Sequence, residues 1–299
     1  MTAIDAQYGR RTVRWLALGM VGLFAAAVVY INPLAPEPTA PGQRAAAPAT
    51  HSPGGHGGDG LTDKHDGYAL LPVTLPDRRG KALPVAFRVL GPDGLATTEY
   101  EPVLSEPLHL YVVREDLSFY QHLHPALAGD TWTAAVDVPD GGVYRLYAEF
   151  VPRARAGSGH STVLGAPFVV AGDTSYAPIP PPAPRVKVAG YTVEREEGAA
   201  DGVAGRPRVV RFRVLDAGGA PVTALEPYLG AYAHASVFES TTQSLAHLHP
   251  TMPASERAAP GDGVLTFHTQ FPQRGRYRLF LQFKAAGTVH LAPFTVVAA

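Results

Sequence analysis

Leu108-His109-Leu110-Tyr111-Val112-Val113-Arg114, then Glu115-Asp116-Leu117, then Ser118-Phe119-Tyr120-Gln121-His122-Leu123-His124-Pro125, reads as two β-strands folded over a polar turn. Branched and aromatic residues fill both arms, and the charged residues between them interrupt the apolar pattern. Folding the hairpin over Glu115-Asp116 pairs Leu108 with Leu123, Leu110 with Gln121 and Val112 with Phe119, a set suited to a core. The opposite face then pairs His109 with His122, Tyr111 with Tyr120 and Val113 with Ser118. A slip of one residue would exchange the two faces, so the hydrophobic pattern restricts the register. His122 and His124, two apart on a strand, point to the same side about 7 Å from each other. Directly opposed residues have Cβ atoms about 4.5–5.5 Å apart, so His109 joins them there.

The same stretch occurs again further along the chain. Phe87-Arg88-Val89-Leu90 returns as Phe212-Arg213-Val214-Leu215, 125 positions on. That spacing also relates Glu101-Pro102 to Glu226-Pro227, His109 to His234, and His122-Leu123-His124-Pro125 to His247-Leu248-His249-Pro250. Beyond it, Gly142-Val143-Tyr144-Arg145-Leu146 meets Gly275-Arg276-Tyr277-Arg278-Leu279 at a spacing of 133. Ala166-Pro167-Phe168 meets Ala292-Pro293-Phe294 at 126. Length changes of this kind belong in loops. The chain therefore contains two repeats, residues 67–172 and 186–299. Residues 173–185, with the run APIPPPAP, join them as a short stiff spacer.

Each repeat reads as short strands punctuated by turns such as Gly91-Pro92-Asp93-Gly94 and Pro139-Asp140-Gly141-Gly142. No window in either repeat shows the 3.6-residue period of a helix. About seven strands per repeat predict an all-β chain of two tandem immunoglobulin-like β-sandwich domains. Tyr144 and Tyr277, each in a Gly-x-Tyr that opens a late strand, suit either a tyrosine corner or ordinary strand packing.

Ahead of the repeats, Trp15 to Ile31 is an unbroken apolar run of 17 residues, preceded by Arg10, Arg11 and Arg14. About 17–25 apolar residues span a bilayer. No Lys or Arg follows until Arg44, so the charge bias places residues 1–14 in the cytoplasm and everything after the run outside. Residues 15–31 are read as an uncleaved signal anchor, a single transmembrane helix in the cell membrane. A cleaved signal peptide is the rival reading, but its apolar region usually has 7–15 residues. Residues 32–66 read as a linker, first Pro/Ala-rich and then Gly-rich, carrying His51, His56 and His65.

Composition narrows the function classes. The 299 residues are 46% hydrophobic and 17% charged with a net charge of −1, so nothing draws the chain to nucleic acid. The 31 Gly and 29 Pro suit many short strands. The absence of Cys removes disulfides, thiolate metal sites and Cys nucleophiles. Twelve His in so weakly charged a chain stand out.

The stretch Gly230-Ala231-Tyr232-Ala233-His234, the His-x-His-Pro motifs and Gly275-Arg276-Tyr277-Arg278-Leu279-Phe280-Leu281 carry a resemblance. On these residues each half resembles the β-sandwich domain of a group of uncharacterised, membrane-anchored actinobacterial secreted proteins. The first repeat departs from that pattern around Glu106. More distantly the domains are similar to YtkA-like and copper-handling immunoglobulin-like domains. The resemblance covers residues 67–299 and implies the fold more than the chemistry.

His109, His122 and His124 in one repeat, and His234, His247 and His249 in the other, are the candidate ligands of a divalent metal ion. Neutral imidazole suits Cu²⁺ and Zn²⁺. The only Met are Met1, Met20 and Met252, which disfavours a Met-rich Cu(I) site. Glu101 and Glu226 are weaker candidates as additional ligands, and His51, His56 and His65 could capture metal loosely in the linker. His160, His268 and His290 have no counterpart in the other repeat and read as surface residues. Three function classes compete: a metal-binding protein that buffers, senses or delivers Cu²⁺ or Zn²⁺ outside the membrane, an interaction module for an envelope partner with incidental histidines, and a three-His metallo-enzyme. No Ser/His/Asp set, G-x-S-x-G, H-E-x-x-H or phosphate loop is present, so the chain is read as a non-enzyme.

Overall fold

The computed structural model describes residues 57–158, 160–196, 202–250 and 259–299, with the backbone alone at 247, 249 and 250. The anchor read at 15–31, His51 and His56 lie outside the described residues. Among the described residues no helix is long and apolar enough to cross a membrane.

The first repeat has ten strands: β1 Lys64–His65, β2 Tyr68–Thr74, β3 Gly80–Leu90, β4 Tyr100–Glu101, β5 Leu108–Arg114, β6 Tyr120–Leu123, β7 Ala126–Ala128, β8 Thr131–Val138, β9 Gly142–Pro152 and β10 Thr162–Val170. They form two sheets, ordered β1-β2-β3-β8-β7 and β10-β9-β5-β6, with β4 also on β9. The second repeat has eight: β11 Arg185–Val188, β12 Tyr191–Arg195, β13 Arg208–Leu215, β14 Ala233–Glu239, β15 Leu245–Pro250, β16 Val264–Thr269, β17 Gly275–Ala285 and β18 Thr288–Ala298. Their order is β11-β12-β13-β16-β15-β14-β17-β18. The all-β expectation therefore holds, with a separate apolar core in each repeat. Phe87, Leu110, Leu146 and Phe150 anchor one core, and Phe212, Phe267, Leu281 and Phe294 the other.

Both tyrosines of the Gly-x-Tyr motif form a corner. Tyr144 donates its hydroxyl hydrogen to the Asp140 carbonyl at 2.9 Å, and Tyr277 does so to the Gln273 carbonyl at 2.7 Å. Each reaches a backbone carbonyl four residues upstream, the contact expected at the corner of an immunoglobulin-like sandwich.

The fold begins before residue 67. Within the stretch read as linker, β1 pairs with β2, and Gly57 bridges to Thr162. The Gly165 amide donates to the Thr62 carbonyl. Gly60 has φ +77°, and a Cβ there would run into the Tyr147 ring, so a glycine is what lets this segment lie flat on the sheet.

The His-Leu-His-Pro motif marks where the chain changes sheets. In the first repeat β6 pairs with β5, and β7, two residues later, pairs with β8 of the other sheet. In the second repeat a single strand, β15, does both: it pairs with β14, and then at His249 and Pro250 with His268 and Phe267 of β16. Strands that switch sheets make the corners of sandwiches. In the first repeat the motif therefore places His122 within a sheet and His124 just past the strand end, whereas in the second His249 pairs into the other sheet.

Strand β5 is buried along its whole length. Leu108, Leu110 and Val112 face the core of the first repeat. Tyr111 and Val113 face a third apolar cluster shared by the two repeats, with Tyr120 and Tyr147 from the first and Phe238, Leu245 and Phe280 from the second. Matched positions meet there: Val113 corresponds to Phe238 and Tyr120 to Leu245 at 125, and Tyr147 to Phe280 at 133. Tyr120 stacks on Phe280 at 4.4 Å between ring centres and 7° between planes. The Tyr147 hydroxyl donates to the Gln243 carbonyl at 2.7 Å. Both repeats fall within one compact unit of the chain.

Candidate metal centre

The register of the β5–β6 hairpin differs from the expected one by two residues. Tyr111 pairs with His122 and Leu110 with Leu123. The turn is longer than a fold over Glu115-Asp116, because Leu117 takes a left-handed φ of +57°. The Asp116 carboxylate accepts from Arg114 at 2.6 Å and from the Ser118 amide at 3.1 Å, and these bonds hold that loop. An even shift leaves every side chain on its expected face. His109 is thus diagonal to His122 and level with His124, rather than opposite His122. The second repeat is shifted in the same way: Ser236, not His234, pairs with His247.

The three His of the first repeat nevertheless converge. One nitrogen from each of His109, His122 and His124 lies within 4.8 Å of the others. His109 Nδ1 is 3.0 Å from His122 Nε2 and 3.1 Å from His124 Nε2. An ion holding imidazole nitrogens at about 2.0–2.1 Å in a tetrahedron spaces them about 3.3 Å apart. The observed separations are close to that value.

The outer nitrogens decide what the inner ones offer. His109 Nε2 faces the Val103 carbonyl at 2.9 Å. A carbonyl only accepts, so that nitrogen carries the hydrogen and Nδ1 presents a bare lone pair. His122 Nδ1 faces Oε1 of Gln282 at 3.0 Å, which leaves its Nε2 bare in the same way. His124 Nδ1 faces the Glu106 carboxylate at 3.5 Å, which favours a bare Nε2 on that ring too. The three inner nitrogens thus meet at one space, and with these outer partners each ring can offer a lone pair to a cation there. An outer carbonyl, amide or carboxylate behind each imidazole is the arrangement that metal-ligating His adopt.

A proton is a poor choice of cation here. His109 and His122 are almost wholly buried, and His124 is partly so. Burial, then the neighbouring His109 and His234 rings, hold His122 well below the usual histidine range. Burial and the same two neighbours bring His124 down to about 3. A divalent ion gains coordination bonds that a proton does not. Two carboxylates lie near enough to offset its charge. One is Glu106, and the other is the fully buried Glu149, the β9 partner of His109, which accepts from the Tyr111 hydroxyl at 2.9 Å. Burial, followed by the charge of Glu149, pushes the Tyr111 hydroxyl well above its usual range, so it stays a donor.

His109, Tyr111 and His122 also line a cavity of about 10 Å³ with His234 and Ser236 of the second repeat. That is room for about one water molecule. His234 repeats the local arrangement of His109: its Nε2 faces the Tyr228 carbonyl at 2.8 Å, and its ring centre is 5.7 Å from that of His122. The backbone sets His247 and His249 on β15 beside it.

The remaining candidates lie elsewhere. Glu101 pairs with Arg153 at 3.0 Å. Glu226 accepts from the Gly287 amide at 2.6 Å and pairs with Lys284 at 3.2 Å. His65 is on β1 beside Asp66, at 3.4 Å. His290, read as a surface residue, is buried against Tyr191 and Phe283, whose rings were not expected to cover it. Sequence reasoning missed Val103, Glu106, Glu149 and Gln282. Glu106 is only three residues before His109, and the left-handed Leu104 and Ser105 turn the chain there. Gln282 had no signal in the linear sequence, since it reaches His122 from the other repeat.

The fold and site define an all-β protein of two immunoglobulin-like sandwich repeats with a buried histidine cluster where they meet. The chain belongs to the family described as Domain of unknown function (DUF8832), which matches residues 65–163 and 186–299, one segment per repeat. No curated protein matches it. Among solved structures, it is similar to the Lin-41 filamin domain at 14% identity, over 38% of this chain and 97% of that one, with a TM-score of 0.26. It is also similar to the Escherichia coli adhesin FdeC at 17% identity, over 78% and 64% of the two chains, with a TM-score of 0.24. A chimeric titin Z1Z2 tandem matches at 12% identity, over 76% and 95%, with a TM-score of 0.19. Scores this low carry nothing further about this chain.

Proposed function

We propose that this protein binds a divalent metal ion, Cu²⁺ or Zn²⁺, through His109, His122 and His124, and that it buffers, senses or delivers the ion outside the cell membrane. The supporting observation is that His109 Nδ1 lies 3.0 Å from His122 Nε2 and 3.1 Å from His124 Nε2, with one nitrogen of each ring within 4.8 Å of the others, while the outer nitrogens all face acceptors. His234, His247 and His249 form the corresponding site of the second repeat, on the strength of the shared register and the Tyr228 contact. Residues 15–31 anchor the chain, with the repeats outside the membrane, as in the membrane-anchored secreted proteins it resembles. The role proposed is binding of the ion rather than catalysis.

The test is metal analysis and titration calorimetry on the full chain, beside a variant with His122, His124, His247 and His249 changed to Ala. The parent should retain an ion that the variant loses. Equal metal content in the two would sink the proposal.

The alternative, an interaction module for an envelope protein, requires a free apolar sheet face. The aromatic face of β5 and β9 is covered by the second repeat. The large exposed hydrophobics, Leu71, Val73, Leu95 and Val169 in the first repeat and Val203 and Val289 in the second among them, are spread over both repeats. We therefore place the interaction reading second.

A further inference from the structure

Two of the three histidines are braced from within their own repeat, His109 by Val103 and His124 by Glu106. His122 is braced by Gln282 on β17 of the second repeat, 160 positions away in the chain. Gln282 is buried, and it is the direct strand partner of His234 on β14. Its neighbour two residues back, Phe280, stacks on Tyr120, two residues before His122. The Tyr120 hydroxyl meets the Ser236 hydroxyl at 3.0 Å. The contact that orients His122 is therefore part of the surface by which the repeats are docked. An amide can face an imidazole with its oxygen or its nitrogen. Only the oxygen leaves His122 Nε2 bare for an ion, and that is the orientation in the structure.

We propose that the second repeat completes the metal centre of the first, with Gln282 as a positioning residue that fixes the Nδ1–H form of His122, so that ion binding and docking of the repeats are one linked equilibrium. This rests on the metal reading above. A ligand that prefers the docked form stabilises that form in proportion to the preference. An ion held by His122 in this ring form draws the two repeats together, and separating them weakens the hold on the ion.

The experiment uses the full chain with His247→Ala and His249→Ala, so that one cluster is whole, and titrates it with Zn²⁺. Gln282→Leu should weaken binding by about 10–100-fold, the usual effect of losing an outer partner of a ligating histidine. Gln282→Glu keeps an acceptor oxygen and should restore binding to the parent's level or tighter. A Leu variant that binds as tightly as the parent overturns the inference and leaves the metal reading standing. So does a Glu variant as weak as the Leu variant, since the amide hydrogens would then be what matters. A parent that takes up no ion overturns the metal reading as well. Should the Leu variant fail to fold, nitrogen NMR of His122 in the metal-free parent decides: the Nδ1–H form is expected, and the Nε2–H form overturns the assignment. Zn²⁺ should also slow amide exchange at Ser236 and Phe280 in the second repeat. Protection confined to the first repeat overturns the linkage.

Discussion

Lowering the pH of the metal-free protein from 7 to 5 should destabilise it by about 2–4 kcal/mol through His122 and His124 alone. In the unfolded chain both rings titrate near 6.5. In the folded protein burial holds His122 well below that value and brings His124 to about 3. Between these limits the unfolded state binds more protons, so stability is full above about pH 6.5 and falls as the pH drops. The loss continues until the pH passes the folded pKa, near 3 for His124. From 6.5 to 5 is about 1.5 pH units, and at about 1.4 kcal/mol per unit each histidine accounts for about 2 kcal/mol. His124 is partly open to solvent, so its share is discounted, which sets the lower end of the range. Urea denaturation of the full chain in chelator, at pH 7 and pH 5, measures the loss. The same pair of measurements on a His122→Gln/His124→Gln variant removes the contribution of every other titrating group. The parent should lose more stability than the variant by the stated amount. Equal losses, or a smaller loss in the parent, would refute the reasoning, because the folded cluster would then be taking up a proton of its own.

Tyr144→Phe and Tyr277→Phe should each cost about 0.5–1.5 kcal/mol by chemical denaturation, the worth of one hydrogen bond to the backbone, and the costs should add because the two lie in separate cores. Tyr120→Ala removes the ring stacked on Phe280 and should cost about 3–5 kcal/mol, with faster amide exchange along β14 and β17 as the accompanying sign. Gly60→Ala forces a Cβ into the Tyr147 ring at a left-handed φ. It should cost at least about 1–3 kcal/mol and expose residues 57–66 to limited proteolysis.

Much of this architecture was legible from residue periodicity. Strand β5 coincides with the arm read at 108–114, and the turn read at Pro139-Asp140-Gly141-Gly142 lies at the junction of β8 and β9. The sharing of one face by His109, His122 and His124 survived a two-residue error in register, because an even shift preserves the faces. The error came from the turn, where Asp116 binds Arg114 and Ser118 and makes room for a left-handed Leu117. Such local bonds leave no periodic trace. The docking of the repeats was half visible: Tyr111, Val113 and Tyr120 make the histidine face aromatic and apolar, which suits a covered surface better than a solvated one. What no local pattern could show is which residue covers it. Gln282 lies far along the chain in a strand whose counterpart position holds Glu149. The Gly-rich segment 57–66 misled for a related reason. It buries little of its own, and it is ordered by backbone bonds to β10 and by the Tyr147 ring.

The matched faces of the two repeats have the form of a two-fold dimer interface drawn within one polypeptide. In a homodimer every residue at such an interface is obliged to appear twice, so any change made on one side is made on the other. Covalent joining removes that obligation. Glu149 and Gln282 occupy corresponding places with different charge, as do Glu106 and Ala231. One half can therefore be tuned in charge and affinity while the other keeps its own setting, and two unequal sites can evolve behind a shared, self-complementary seam.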